Sequence, residues 1–132
     1  MMKTSGLYID FPFCIARCAF CAFNVYGYQE GRAAAYEDAL CKEIALHAQG
    51  GAFCDREFIS IYMGGGTPTR HEARILQKIV KTCRRHFNIR IDAEVTVEAH
   101  PATLYERSLR RCERAASTGS QWESNLFRTN SC

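Results

Sequence analysis

Three cysteines lie close together near the start of the chain with the spacing C-x3-C-x2-C: Cys14, Cys18 and Cys21. Thiolates are soft ligands that suit iron–sulfur clusters and zinc. Three thiolates on one short loop are enough to hold three irons of a [4Fe–4S] cluster and to leave the fourth iron open. Nearby Phe13, Phe20 and Phe23 favour a cluster, because an apolar shell limits solvent access. A zinc site completed by a distant ligand, or three unrelated buried thiols, are the open alternatives.

A run of glycines follows an apolar stretch in the middle of the chain: Gly64-Gly65-Gly66, then Thr67-Pro68. Glycine has no Cβ, so a ligand can approach the backbone closely there. The run is not a Walker loop, since no Gly-Lys-Ser/Thr follows it, and a tight strand-to-helix turn is the alternative. Further along, the carboxylate of Glu98 closes another apolar stretch and is suited to hydroxyls or an amine. A solvated loop carboxylate is the alternative there.

Other residues of reactive types are expected to be structural. Tyr8 is expected to be a core aromatic and Phe20 a packing residue. Cys41 and Cys83 fall within helical patterns, where thiols pack like small hydrophobic side chains. The remaining candidates have no ligand-like partner at short spacing and are expected on helix surfaces: His47, His71 and His86.

The composition limits the class of protein. With 47% hydrophobic and 23% charged residues, the chain has an ordinary globular composition. Eight cysteines in 132 residues is below the density of a disulfide scaffold. Without a recognisable signal peptide, a reducing cytoplasm is expected. The net charge of +3 is too small and dispersed to indicate nucleic-acid binding. No run of about 18 apolar residues is available to span a membrane.

Strand-like and helical patterns alternate along the chain. Short apolar or alternating stretches predict strands, and helical spacing of apolar residues predicts the helices. The predicted order is a strand at 7–11, the cysteine loop at 12–31, a helix at 32–49, a strand at 58–63, a helix at 70–86, a strand at 93–98 and a third helix from Pro101. This alternation is typical of an α/β fold with a parallel sheet.

The reactive residues all follow predicted strands. The cysteine loop follows the first strand, the glycine run follows the second, and Glu98 ends the third. Ligands bind at the carboxyl ends of the strands in parallel sheets. The sequence therefore predicts one site at this edge of the sheet.

Together these motifs resemble the radical S-adenosylmethionine (SAM) superfamily. The similar segments are residues 7–14, the cysteine triplet, residues 64–68 and residues 97–101. They resemble in particular the branch of oxygen-independent coproporphyrinogen III oxidase and the haem chaperone. The resemblance covers roughly residues 6 to 110.

The resemblance implies a partial (β/α)6 barrel, of which residues 1–110 would form the first half, about three β/α units. It implies that Cys14, Cys18 and Cys21 ligate the [4Fe–4S] cluster and that SAM chelates the open iron. Electron transfer from the cluster then cleaves SAM to a 5′-deoxyadenosyl radical. The residues implied to contact SAM are Tyr8, Phe20, Gly65, Gly66, Thr67 and Glu98. The implied partners are haem or a porphyrinogen, and a reductant such as flavodoxin or ferredoxin.

The chain departs from the family pattern at three positions outside the cluster ligands. Where the oxidase has a further cysteine two residues after the triplet, this chain has Phe23, which favours the haem chaperone side of the branch. Asp10 stands where the family has histidine, and His100 stands where it has asparagine.

The segment 111–132 shows no helical or strand period and does not resemble the family. One permitted back-translation of residues 115–127, read in another frame, encodes the strand that the family has next. We therefore expect a frame-shifted tail at 111–132, and a truncated, inactive fragment of a radical SAM protein. A non-enzymatic zinc-binding module that uses the three cysteines is the alternative function.

Overall fold

The computed structural model describes residues 2–100 and the backbone of residues 127–129. A 3-10 turn at Pro68–Arg70 joins the fourth strand to the second helix. The helices and strands of this part of the chain are β1 (Lys3–Phe11), β2 (Phe13–Cys14), β3 (Tyr26–Gly27), α1 (Glu30–Gln49), β4 (Arg56–Gly65), α2 (Ala73–His86), β5 (Ile89–Ala99) and β6 (Phe127–Thr129).

Four of these strands form one parallel sheet in the order β1, β4, β5, β6. Tyr8 pairs with Tyr62, and Tyr62 pairs with Thr96, so these three residues lie side by side across the sheet. The helices α1 and α2 connect β1 to β4 and β4 to β5. The predicted α/β fold with a parallel sheet is therefore confirmed, while the count of barrel units stays a prediction.

One face of the sheet is buried beneath the two helices. Side chains alternate between faces along a strand. The apolar side chains of β1, β4 and β5 form one buried cluster with Leu40 and Ile44 of α1 and with Leu76, Ile79 and Cys83 of α2. The strand residues in this cluster are Ile9, Phe11, Ile61, Met63, Val95 and Val97. This core fixes the register of the strands and therefore the positions of the loops at their carboxyl ends.

The opposite face of the sheet carries polar side chains. By strand alternation it holds Tyr8 and Asp10 of β1, Tyr62 of β4, and Thr96 and Glu98 of β5. Tyr8 is 57% exposed, so the expectation of a core aromatic at this position is wrong. The apolar and aromatic residues of β1 alternate in accessibility because only one face of the strand meets the helices.

The elements differ from the predicted ones mainly at their ends. The strand expected at 93–98 runs over Ile89–Ala99, and the one expected at 58–63 runs over Arg56–Gly65. The helix expected from residue 70 begins at Ala73, because the 3-10 turn precedes it. His71 lies between the two and is 4% exposed, so its expected place on a helix surface is wrong. Cys83 is fully buried and Cys41 partly buried, in accord with their predicted packing.

Two expectations fall largely outside the described residues: the helix from Pro101 and the frame-shifted tail at 111–132. Within the tail only β6 is described, and its three residues pair with β5 at Val97, Glu98 and Ala99. This strand was not predicted, because three residues are too few to show a period. Among the described helices, none has the length and apolar character needed to cross a membrane.

Candidate functional site

The segment expected to be a loop over residues 12–31 contains the short strands β2 and β3 and the first residues of α1, so the cysteine loop itself spans residues 14–25 and is closed at its base by these two strands. These pair in parallel, with Phe13 beside Tyr26 and Cys14 beside Gly27. The amide of Tyr26 donates to the carbonyl of Pro12 at 2.7 Å, and that of Tyr28 donates to the carbonyl of Cys14 at 3.0 Å. These bonds hold the two ends of the loop together beside the end of β1.

The three cysteines of the loop differ in their state. Cys14 and Cys21 are half-buried free thiols, whereas Cys18 is disulfide-bonded. The amide of Cys21 donates to the carbonyl of Cys18 at 3.0 Å, which forms a turn between them. In the part of the chain that the structure describes, no three histidine, cysteine or acidic side chains are gathered closely enough to hold a metal ion. The donor set fits a thiolate-bound cluster, but ligation requires that Cys18 be reduced and the loop drawn together.

The glycine loop, residues 64–66, docks its backbone against the end of β1. The amide of Gly66 donates to the carbonyl of Phe11 at 2.7 Å, and that of Thr67 donates to the carbonyl of Phe13 at 2.9 Å. A Cβ on Gly66 would lie 2.7 Å from the Phe13 carbonyl oxygen, closer than real side chains come. Gly65 has φ of 106°, a backbone conformation that favours glycine. The glycines therefore serve a tight turn and close packing against β1, while the approach of a ligand to this backbone stays a prediction.

Thr67 connects the glycine loop to the first cysteine. Its hydroxyl donates to Sγ of Cys14 at 3.7 Å, and the residue is buried directly before the 3-10 turn. Thr67 therefore both lines the cavity and contacts the first cysteine.

Glu98 is held in place by two hydrogen bonds within the sheet. It lies inside β5, accepts a bond from the Tyr62 hydroxyl at 2.6 Å and accepts a second from the amide of Gly65 at 3.1 Å. The alternative of a solvated loop carboxylate is therefore wrong. Tyr8 stacks on Tyr62 with ring centroids 5.6 Å apart. This arrangement joins β1, β4 and β5 towards the carboxyl edge of the sheet.

Removing the Tyr62 hydroxyl tests how firmly Glu98 is held. We expect Tyr62→Phe to lower the free energy of unfolding by about 2 kcal/mol, because it removes a short hydrogen bond to a carboxylate but keeps the ring stacked on Tyr8. Tyr26→Phe is the matched control, since its exposed hydroxyl accepts only a 3.5 Å bond from Asn24. Urea unfolding of both variants measures the difference. Equal losses of unfolding free energy in the two variants would show that the Tyr62–Glu98 hydrogen bond stabilises the fold no more than the exposed hydroxyl of Tyr26 does.

One cavity of about 1030 Å³ lies between the cysteine loop, the glycine loop and β5. The predicted site residues along its wall are Cys14, Cys18, Phe20, Cys21, Gly65, Gly66, Thr67 and Glu98. Phe20 is 77% exposed there, so it is not a buried packing residue. Tyr8 does not line this cavity. It stacks on Tyr62, whose hydroxyl donates to Glu98 in the cavity wall. The sequence did not reveal this role of Tyr62.

The polar face of the sheet beside Glu98 is acidic. Burial, and then the charge of Glu98, raises the pKa of Asp10. Burial also raises the pKa of Tyr8, with further contributions from Asp10 and Glu98. Two carboxylates on one polar face disfavour additional negative charge and favour a cationic group such as an amine.

Tyr36 ties α1 to the end of β1. Its hydroxyl donates to the carbonyl of Asp10 at 2.7 Å, and burial raises the pKa of Tyr36 to about 12. An unfolded tyrosine ionises near pH 10, so the stabilisation by the neutral hydroxyl is complete below pH 10 and is lost as the pH rises towards 12.

Replacement of Tyr36 by phenylalanine tests how much the Tyr36 hydroxyl stabilises the fold and how that stabilisation depends on pH. We expect Tyr36→Phe to cost about 1 kcal/mol at neutral pH, because one hydrogen bond is lost. Between pH 10 and 12 the wild-type free energy of unfolding is expected to fall towards that of the variant. Urea unfolding across this range checks it, and parallel curves for the two proteins would contradict the assignment.

No protein-family model matches the chain. Curated relatives do. The anaerobilin synthase of Escherichia coli O157:H7 is 35% identical over 92 residues, which is 70% of this chain and 21% of that protein. The haem chaperone HemW of Buchnera aphidicola is 36% identical over 104 residues, 77% of this chain and 27% of the chaperone. The oxygen-independent coproporphyrinogen III oxidase of Salmonella typhimurium is 35% identical over 100 residues, 75% of this chain and 21% of the oxidase.

A solved structure agrees with these relatives. Coproporphyrinogen III oxidase (HemN) of Escherichia coli, described as a radical SAM enzyme, matches with a TM-score of 0.77 and 30% identity. The match covers 86% of this chain and 26% of the enzyme. The chain thus spans about a quarter of the length of the proteins it matches. The resemblance found in the motifs is confirmed: the chain is a homologue of the radical SAM proteins that include oxygen-independent coproporphyrinogen III oxidase and the haem chaperone.

Proposed function

We propose that the chain holds a [4Fe–4S] cluster and SAM in the cavity beside the cysteine loop. The observation that carries this proposal is that three cysteines, the glycine loop and Glu98, which are far apart in sequence, line one cavity. Its volume of about 1030 Å³ is at the upper end of ordinary cofactor sites. Homology to radical SAM proteins supports the same assignment.

Each group of residues has a separate part in this proposal. Cys14, Cys18 and Cys21 hold the cluster through their thiolates, once Cys18 is reduced. Gly65 and Gly66 expose backbone at the cavity wall, and Glu98 offers its carboxylate to the amino group of SAM. When bound, the cluster would pass one electron from the reductant to SAM, which would split into methionine and a 5′-deoxyadenosyl radical. The protein supplies binding, orientation and exclusion of water.

Tyr8 and Phe20 have weaker geometric support as SAM contacts. Phe20 projects its ring into solvent at the cavity, so it is free to cover a ligand there. Tyr8 supports Tyr62 and through it Glu98. We therefore keep Phe20 as a direct contact and assign Tyr8 to the polar face beside the cavity.

We place the intact protein in haem or porphyrin metabolism, on the side of the haem chaperone. The support for the branch is homology to the haem chaperone and the oxidase, together with Phe23 at the position of the oxidase's extra cysteine. Its partners would be haem or a porphyrinogen and a reductant such as flavodoxin or ferredoxin, in a reducing cytoplasm. Because the chain spans about a quarter of its relatives, we expect the 132-residue chain alone to bind cofactors without acting on a porphyrin.

SAM binding is tested by electron paramagnetic resonance. The reconstituted and dithionite-reduced protein is expected to change its spectrum when SAM is added, because SAM occupies the open iron. Glu98→Ala is expected to raise the SAM concentration needed for half of that change about tenfold, through loss of a charge-assisted hydrogen bond. Glu57→Ala, at the opposite end of β4, is the matched control. An identical spectrum with and without SAM would overturn the proposal, and one tightly held zinc would support the zinc module.

A further inference from the structure

His71 and Glu37 form a buried hydrogen bond between the turn after the glycine loop and α1. Nδ1 of His71 lies 2.7 Å from Oε1 of Glu37. The side chain of His71 is 0% exposed and that of Glu37 is 13% exposed. A hydrogen bond to a carboxylate in such surroundings is strong, because little water competes for either group.

The His71 ring contacts aromatic rings from both ends of the cysteine loop. Its centroid lies 5.9 Å from that of Phe13, which directly precedes Cys14. It lies 5.6 Å from that of Tyr28, whose amide donates to the carbonyl of Cys14. The ring centroid of Phe11, at the end of β1, lies 5.0 Å from that of His71. One ring therefore supports the strand that enters the loop and the residue that follows the strand leaving it.

The orientation of this ring is set by Glu37. Nε2 of His71 is buried and has no hydrogen-bond partner within the residues that the structure describes. Turning the ring away from Glu37 would leave both ring nitrogens buried without a partner, which is unfavourable. The bond to Glu37 thus holds the ring in one position against Phe13 and Tyr28.

We propose that His71 and Glu37 are positioning residues that hold the two ends of the cysteine loop in register, so that its thiolates converge on one cluster. Neither residue lines the cavity. The part of this inference that concerns the cluster rests on the proposed function. The part that concerns the loop does not, and it is measurable in the protein without iron.

Hydrogen exchange in the iron-free protein tests the loop. In His71→Phe the ring volume stays but the bond to Glu37 is lost, and we expect exchange at the amides of Tyr26 and Tyr28 to rise about tenfold. Glu37→Leu is expected to do the same. Glu37→Gln keeps an acceptor for the ring N–H and is expected to stay within about twofold of the wild type. His47→Phe is the matched control, since the His47–Glu43 pair is exposed and remote from the loop.

Core amides separate a local effect from general loss of stability. Exchange at Ile61 and Val95, in the buried centre of the sheet, is expected to stay unchanged. An equal rise at the loop and at the core, or no rise at the loop in either His71→Phe or Glu37→Leu, would overturn the inference. Failure of Glu37→Gln to retain protection would contradict the role given to the hydrogen bond.

Cluster retention provides the second readout. After reconstitution, we expect His71→Phe to lose its iron to a chelator about tenfold faster than the wild type, with Glu37→Gln close to the wild type. If the wild type takes up no cluster, the proposed function fails, and the exchange result alone decides the positioning of the loop. If the wild type takes up the cluster and His71→Phe retains it equally well with an unchanged loop, only the present inference fails.

Discussion

Changing any one of Cys14, Cys18 or Cys21 to alanine is expected to abolish cluster binding. Each thiolate would supply one of three protein ligands, and a cluster held by two ligands from an exposed loop is not retained through purification. The measurement is iron and acid-labile sulfide per chain after anaerobic reconstitution, preceded by reduction with dithiothreitol because Cys18 is disulfide-bonded. We expect iron to fall to the background level in all three variants.

The control for this result is Cys54→Ala. Cys54 is an exposed free thiol in the turn before β4, away from the cavity. Its loss is expected to leave the iron content unchanged, which separates ligation from general thiol chemistry. Full iron content in Cys14→Ala, Cys18→Ala or Cys21→Ala would refute the assignment of that residue as a ligand.

Replacing Gly66 by alanine is expected to lower the free energy of unfolding by about 3 kcal/mol and to abolish SAM binding. The new Cβ would lie 2.7 Å from the carbonyl oxygen of Phe13 and 2.8 Å from that of Phe11. Neither oxygen can move away freely, because the Phe11 carbonyl accepts a hydrogen bond from the amide of Gly66 and the Phe13 carbonyl accepts one from the amide of Thr67. Overpacking against fixed backbone costs free energy and displaces the cavity wall.

Gly31→Ala is the matched control for this substitution. A Cβ on Gly31 meets no atom within 4 Å, and the residue lies in the first turn of α1. Alanine favours helix over glycine, so we expect a gain of up to about 1 kcal/mol. Urea unfolding compares the two variants. A Gly66→Ala protein as stable as the wild type would show that the glycine loop does not dock against β1 as described.

Much of the fold was predictable because its physical causes are local. Apolar stretches ending in the glycine loop and at Glu98 alternate with the helical patterns of α1 and α2, and this alternation requires a parallel sheet. The parallel sheet then places the cysteine loop, the glycine loop and Glu98 at one edge. The ends of the strands were not predictable, because pairing with neighbouring strands extends β4 and β5 beyond their apolar residues.

The partners of the site residues depend on register and could not be read from the pattern. Tyr62 meets Glu98 only because β4 pairs with β5 in the observed alignment. The alternation of Tyr62 with Ile61 and Met63 was the available signal, since it places Tyr62 on the polar face. His71 is buried because three aromatic rings and Glu37 converge on it from distant positions. No spacing in the sequence indicates that contact.

The proposal that the cysteine loop binds a [4Fe–4S] cluster within reach of SAM can be tested on the wild-type chain. The most direct measurement is the iron and sulfide content of the reduced, anaerobically reconstituted wild-type chain, followed by its resonance spectrum with SAM. We predict about four irons and four sulfides per chain, and a spectrum that changes on adding SAM. A chain that binds one zinc and no iron, or a cluster whose spectrum SAM leaves unchanged, would contradict the claim.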